Sequence, residues 1–168
     1  MLFGVACALA PSTRNTAQIE QAKWQHAPMN SREMAFVNAF ITPAGRGRAS
    51  RVLERRNVDR KARAKFHRWL VGPIAIEPAR TTELRSNVTP AELLSLIGTD
   101  GPTAWRIIST TSSDATEVPS EVAIGDLFDG VGPVILCDES GTMALYGTEH
   151  PPGARYLLRL ADRSDQSI

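Results

Sequence analysis

The chain lacks the features that mark disulfide-stabilised and membrane-spanning proteins. Only two cysteines, Cys7 and Cys137, occur among 168 residues, and they lie far apart in sequence. A disulfide framework is therefore not expected, and a reducing compartment fits this cysteine usage better. No apolar run approaches the length of a membrane-spanning helix, so we expect no membrane partner. The run Leu2–Ala10 has the apolar character of a signal-peptide core, but it lacks a basic start and precedes Pro11, so we favour a cytoplasmic location.

The short motifs that fix a reaction or a ligand are also missing. The sequence has no G-x-x-x-x-G-K-[ST] phosphate loop, no G-x-G-x-x-G, no H-E-x-x-H, no C-x-x-C and no G-x-S-x-G. The three histidines, His26, His67 and His150, share no metal-ligand spacing with the cysteines. We therefore expect neither a cofactor nor a metal ion.

One arrangement of side chains is compatible with nucleophilic catalysis. Cys137 is the last residue of a predicted strand, His150 lies in the loop after the partner strand, and Glu139 or Glu149 could orient the histidine. A cysteine attacks as the thiolate, and the neighbouring carboxylates of Asp138 and Glu139 raise the pKa of the thiol instead of lowering it. We therefore expect a non-enzymatic protein and keep this arrangement as the weakest alternative.

Charge, by contrast, is abundant and segregated. Residues 1–80 hold fourteen Lys/Arg and five Asp/Glu, whereas residues 81–168 hold five and thirteen. Ten of the basic residues lie between Arg46 and Arg68, where Glu54 and Asp59 are the only acids. Such a block indicates a polyanion, an acidic protein partner, or the acidic half of the same chain as its counterpart.

The same division suggests the organisation of the chain. Residues 1–29 show no helical or strand periodicity, and we expect them to be disordered or to be an extension that precedes the true translation start. Residues 30–80 form a basic helical part and residues 81–160 an acidic α/β part. The polar tail 161–168 is expected to be disordered.

Three helices are predicted in the basic part. The first begins near Asn30 and ends before Pro43, and a short second helix covers Ala49–Arg56. The third is strongly amphipathic and basic, is capped by Asn57 and ends at Gly72. Its apolar stripe consists of Val58, Ala62, Phe66, Trp69 and Leu70.

The acidic part begins with a helix that has a complete start signal. Thr89 is the predicted N-cap, Pro90 occupies the first helical position, and Glu92 completes a capping box. The remaining predicted elements are a strand from Ala104 to Ile108, a helix from Ile124 to Gly130 or Gly132, and strands at 134–137, 142–146 and 156–160. Residues 138–141 are predicted to join the strands at 134–137 and 142–146 in a hairpin, with Gly141 supplying a positive φ. The fold class is therefore α+β, with the helical part packed against a small βαβββ mixed sheet.

The leading functional hypothesis is contact with the phosphate backbone of a nucleic acid through the basic helical surface. The candidate polyanion-binding residues are Arg55, Arg56, Arg60, Lys61, Arg63 and Arg68. No row of aromatic residues is interleaved with them to stack bases, so binding is expected to tolerate any sequence.

An acidic face provides the alternative. Its candidate residues are Asp126, Asp129, Asp138 and Glu139. They could bind a basic protein partner, as a regulatory subunit does, or lie beside the cationic helices of the same chain. Exposed ion pairs of the second kind would orient the two halves more than hold them together.

Overall fold

The computed structural model describes residues 29–98, 101–129, 132–149 and 153–160. Its helices are α1 (Ser31–Phe40), α2 (Pro43–Arg55), α3 (Arg60–Val71), α4 (Pro90–Ile97) and α5 (Ser120–Asp129). Its strands are β1 (Thr81–Glu83), β2 (Ala104–Ser109), β3 (Glu117–Pro119), β4 (Val134–Cys137), β5 (Met143–Gly147) and β6 (Arg155–Arg159). The α+β class is confirmed, with most helices preceding most strands. The predicted disorder of residues 1–29 and 161–168 falls outside the described residues, except at Met29, which is half-buried.

The six strands form one sheet in the order β1-β6-β5-β4-β2-β3, and every neighbouring pair is antiparallel. The sheet is therefore antiparallel throughout, whereas the sequence had suggested a mixed sheet. The difference arises at β3, a three-residue edge strand that was not predicted. Because β3 turns back along β2 before α5 begins, the chain enters β4 in the direction opposite to β2.

Alternating side chains place an apolar cluster on each face of the sheet, as the two-residue period of a strand requires. On one face, Ile108, Ile135, Ala144 and Leu158 pack with Phe36, Phe40, Phe66 and Leu70 of the first three helices. On the other face, Ile107, Leu136, Leu145 and Leu157 pack with Leu93, Ile124 and Leu127 of α4 and α5. The sheet is thus covered on both sides, and α1–α3 form one complete layer. None of the helices within the described ranges is long and apolar enough to cross a membrane.

The helix caps show where local signals were sufficient. The capping box at α4 is confirmed, since Glu92 N donates to Thr89 Oγ1 at 3.2 Å and Thr89 N donates to Glu92 Oε2 at 2.8 Å. The cap of α3 was assigned wrongly to Asn57. Asp59 holds this position, and its Oδ1 accepts a hydrogen bond from Ala62 N at 2.7 Å. Asn and Asp are equally good caps, so the residue types alone did not distinguish Asn57 from Asp59.

The second helix is longer than predicted. It begins at Pro43 instead of Ala49, because proline is well suited to the first helical position, where no N–H is needed. A Cβ added to Gly45 would lie 3.0 Å from the Cβ of Ala75, so glycine permits the close approach of the segment after α3. The additional turn places Arg46 and Arg48 on a helix and gives the cations of α2 a regular spacing.

The turn between β4 and β5 contains Gly141 with φ +70°, the conformation expected for this glycine. A Cβ at this position would approach Ala35 Cβ to 2.6 Å. The turn therefore packs directly against α1, and a side chain would separate the two.

Candidate functional site

Within the basic block Arg46–Arg68, the structure forms two groups of cations with opposite surroundings. Arg56 is 5% exposed and lies against the sheet. Its neighbour Arg55 is exposed on the outer side of α2.

The inward group is centred on Glu33, a residue of α1 that is only 1% exposed. Arg56 donates from Nη2 to Glu33 Oε1 at 2.7 Å and from Nη1 to Oε2 at 3.0 Å. Arg106 of β2 donates from Nε to Glu33 Oε1 at 3.0 Å. This bidentate pairing with a third partner is the geometry that lets a buried carboxylate remain charged.

A second carboxylate, Asp114, extends the cluster into the loop between β2 and β3. Its Oδ2 lies 3.2 Å from Arg56 Nε and accepts a hydrogen bond from Arg63 Nη1 at 2.8 Å. Its Oδ1 accepts from the backbone N–H of Ser109 at 3.1 Å. We call Glu33, Arg56, Arg63, Arg106 and Asp114 the buried ion network. It joins the basic helices to the acidic half of the chain.

The network shifts the pKa of Glu33 and that of Arg56 toward their charged forms. Burial alone would raise the pKa of Glu33, but the hydrogen bonds and charges of Arg56 and Arg106 outweigh it and hold that pKa below the ordinary value. Burial would likewise lower the pKa of Arg56, yet Glu33 and Asp114 raise it. Glu33 and Arg56 are therefore both charged at neutral pH.

The outward group lines a groove of about 400 Å³ between α2 and α3. Its cations are Arg48, Arg51 and Arg55 from α2 and Lys61 and Lys65 from α3. Spacings of three and four residues place such side chains on one face of each helix. We call this feature the basic groove.

The five cations of the basic groove have no carboxylate partner within ion-pair distance in the part of the chain that the structure describes. Asp59 is the single acidic residue among the described residues of the lining, and its Oδ1 caps α3. Five cations thus face one carboxylate in a concave site, an arrangement that attracts anions.

The candidate residues from the sequence are distributed between these environments. Arg55 and Lys61 line the basic groove, whereas Arg60 and Arg68 are exposed outside its lining. Arg56 and Arg63 belong to the buried ion network and do not contribute to the groove.

Sequence reasoning missed three groove residues, Arg48, Arg51 and Lys65. For Arg48 and Arg51 the signal was the i, i+3, i+7 recurrence of arginine from Arg48 to Arg55, which lies on one helix only when α2 begins before Ala49. For Lys65 the signal was its i, i+4 spacing from Lys61 on α3.

The acidic candidates do not form one surface. Asp126 and Asp129 lie on α5, on the face of the sheet opposite to α1–α3. Asp138 is 2% exposed and accepts a hydrogen bond from Thr142 Oγ1 at 3.1 Å. Glu139 is exposed and lies 3.4 Å from Arg32 Nη2 of α1. Of the four, Glu139 pairs with the helical part, and the strongest links between the halves come from other carboxylates.

Cys137 lacks the environment of an activated nucleophile. Its side chain is 1% exposed on the sheet face that α1–α3 cover. Burial, followed by the nearby carboxylates of Glu33 and Asp138, raises the pKa of the thiol well above its ordinary value. His150, the proposed base, lies outside the described residues. The geometry therefore keeps the thiol neutral and inaccessible.

Comparison with protein-family models, with curated proteins and with solved structures finds no match to this chain.

Proposed function

We propose that the protein binds the sugar-phosphate backbone of a nucleic acid in the basic groove. The observation that carries the proposal is the contrast within one charge block. Arg56 and Arg63 are neutralised by carboxylates, whereas the five groove cations have none within ion-pair distance among the described residues. When cations are held close together without a counterion, binding of an anionic ligand is electrostatically favourable. A row of phosphates supplies several negative charges at once.

The residue types support phosphate as the ligand. Arginine presents a planar fork that pairs with two oxygens of one phosphate, and lysine adds a compact charge with three donors. Arg48, Arg51 and Arg55 span seven residues of α2, which is roughly 10 Å along a helix axis. The groove therefore fits a short stretch of one strand, and these contacts carry no base information.

The test is the affinity of a fluorescein-labelled oligonucleotide, measured by anisotropy between low and physiological salt. Replacing Arg51, Lys61 and Lys65 together by glutamine should weaken binding strongly at low salt. It should also reduce the slope of log affinity against log salt by about 2. Each phosphate contact on a single strand releases ~0.7 counterions, and the variant loses three such contacts.

A matched control keeps the change in net charge the same. Arg60, Arg85 and Arg159 lie outside the lining of the basic groove, so their joint replacement by glutamine should change the affinity and the slope much less. Equal effects of the two triple variants would contradict a localised site. Absence of binding even at low salt would contradict the proposal and favour an acidic protein partner.

A further inference from the structure

The basic groove continues into two other depressions of the surface. Arg48 lines both the basic groove and a smaller depression of about 150 Å³ that contains Arg68 and Trp69. Gly72 and Pro73 line that depression and also a wide groove of about 770 Å³ at the β1 edge of the sheet. The three depressions therefore adjoin one another, and an extended ligand on this surface could contact both the cations and the wide groove.

The wide groove, which we call the apolar groove, has a different chemistry. Its lining includes Val71, Ile74, Ile76, Tyr146 and Tyr156. The two tyrosines are directly paired across β5 and β6, with ring centroids 5.9 Å apart and planes 22° from parallel. Tyr146 is nearly buried and Tyr156 is half-buried, so Tyr156 is the more accessible ring.

The charges of the apolar groove exclude a phosphate and suit a neutral group. Among the described residues of its lining, Glu83 is the only charged one, and a carboxylate repels phosphate. Burial, and then the neighbouring Tyr156, raises the pKa of Tyr146 to about 12, so its phenol is neutral. A flat, mostly apolar group with hydrogen-bonding edges fits this lining, and a nucleobase has these properties.

We propose that the ligand is a single-stranded nucleic acid, with its phosphates along the basic groove and one of its bases in the apolar groove beside Tyr156. The inference rests on the proposed function and specifies its ligand. In a duplex the bases are paired and stacked inside, so they cannot enter a side groove without being unpaired. A single strand can place its backbone and a base in the two grooves at once.

The test compares three labelled ligands by fluorescence anisotropy: an oligothymidylate of about ten nucleotides, an abasic strand with the same number of phosphates, and a hairpin duplex. The wild-type protein should bind the oligothymidylate at least about five-fold more tightly than the abasic strand, because one base stack is gained. The duplex should bind no better than the abasic strand.

Two variants locate the base. Tyr156→Leu keeps an apolar side chain but removes the ring, so it should lower the affinity for oligothymidylate to that for the abasic strand. Tyr156→Phe keeps the ring and should retain the preference. Thermal unfolding of both variants shows whether the fold is intact, and the comparison of ligands on the wild-type protein needs no variant.

The outcomes separate this inference from the proposed function. Equal, salt-dependent binding of all three ligands would overturn the inference and leave the phosphate site in place. A preference for oligothymidylate that survives Tyr156→Leu would also overturn it. Failure of every ligand to bind at low salt would overturn both.

Discussion

Arg55 and Arg56 are adjacent in the sequence and have opposite surroundings in the structure. Arg56 is enclosed by Glu33 and Asp114 in the buried ion network. Arg55 lies in the basic groove, where no carboxylate pairs with it among the described residues. A run of basic residues in a sequence is therefore not one surface in the fold. Carboxylates from distant segments pair with some of the basic residues and leave others exposed.

The two regions also differ in what their charges do. In the network, charge is taken out of water, which is costly unless each partner is hydrogen-bonded, and removal of one partner leaves a buried charge uncompensated. In the groove, charge stays in water and contributes little to folding. Stability should therefore depend on the network, and ligand affinity on the groove.

Glu33→Gln should have the largest effect on stability. It removes the carboxylate that receives both Arg56 and Arg106, so Arg106 loses its anionic partner. We expect a loss of about 3–5 kcal/mol in the free energy of unfolding, measured by urea titration. Glu54→Gln, an exposed change on α2, should stay within about 0.5 kcal/mol and serves as the control. A small effect of Glu33→Gln would show that the network does not hold the layers together.

Replacing the two adjacent arginines separately should divide stability from binding. In Arg56→Gln, Glu33 keeps Arg106 and Asp114 keeps Arg63, so the expected loss is smaller, about 1–3 kcal/mol. Arg55→Gln should leave the unfolding free energy within about 0.5 kcal/mol but weaken oligonucleotide binding and lower the salt slope by about 0.7. The comparison breaks down if both variants change the same quantity.

Lowering the pH should weaken the contribution of Glu33 to the unfolding free energy without a substitution. The pKa of Glu33 is lower in the folded protein than in the unfolded chain, so its contribution is present above the unfolded value of about 4.3 and is lost as pH falls through the folded value. The difference in unfolding free energy between wild type and Glu33→Gln should therefore shrink below about pH 4.3. A difference that stays constant with pH would mean that the charge of Glu33 is not what stabilises the fold.

The sequence was sufficient where a structure is determined locally. The capping box of Thr89 and Glu92 and the positive φ of Gly141 depend on a few adjacent residues, and both were predicted correctly. The directions of the strands were not, because the reversal at β3 depends on which strand it pairs with. Pairing partners are set by long-range packing, which a single sequence does not display.

The candidate site shows the same limit. The basic block was visible as composition, but the assignment of Arg56 to the interior depends on Glu33 and Asp114, which lie 23 residues before it and 58 after it. The apolar groove was not visible at all. Tyr146 and Tyr156 meet through the register of β5 and β6, and that register is not written in their local patterns.

The buried ion network has a consequence for the order in which a nascent chain can fold. The first three helices leave the ribosome with Glu33 and Arg56 already made, so these two can pair early. Arg106 and Asp114 are made only after a further fifty or more residues, and β6, which pairs with both β1 and β5, is made later still. Until then the apolar face of the helical layer has no sheet to cover it. The exposed arginines of the same layer give the partly made protein a charge that opposes its association with other chains.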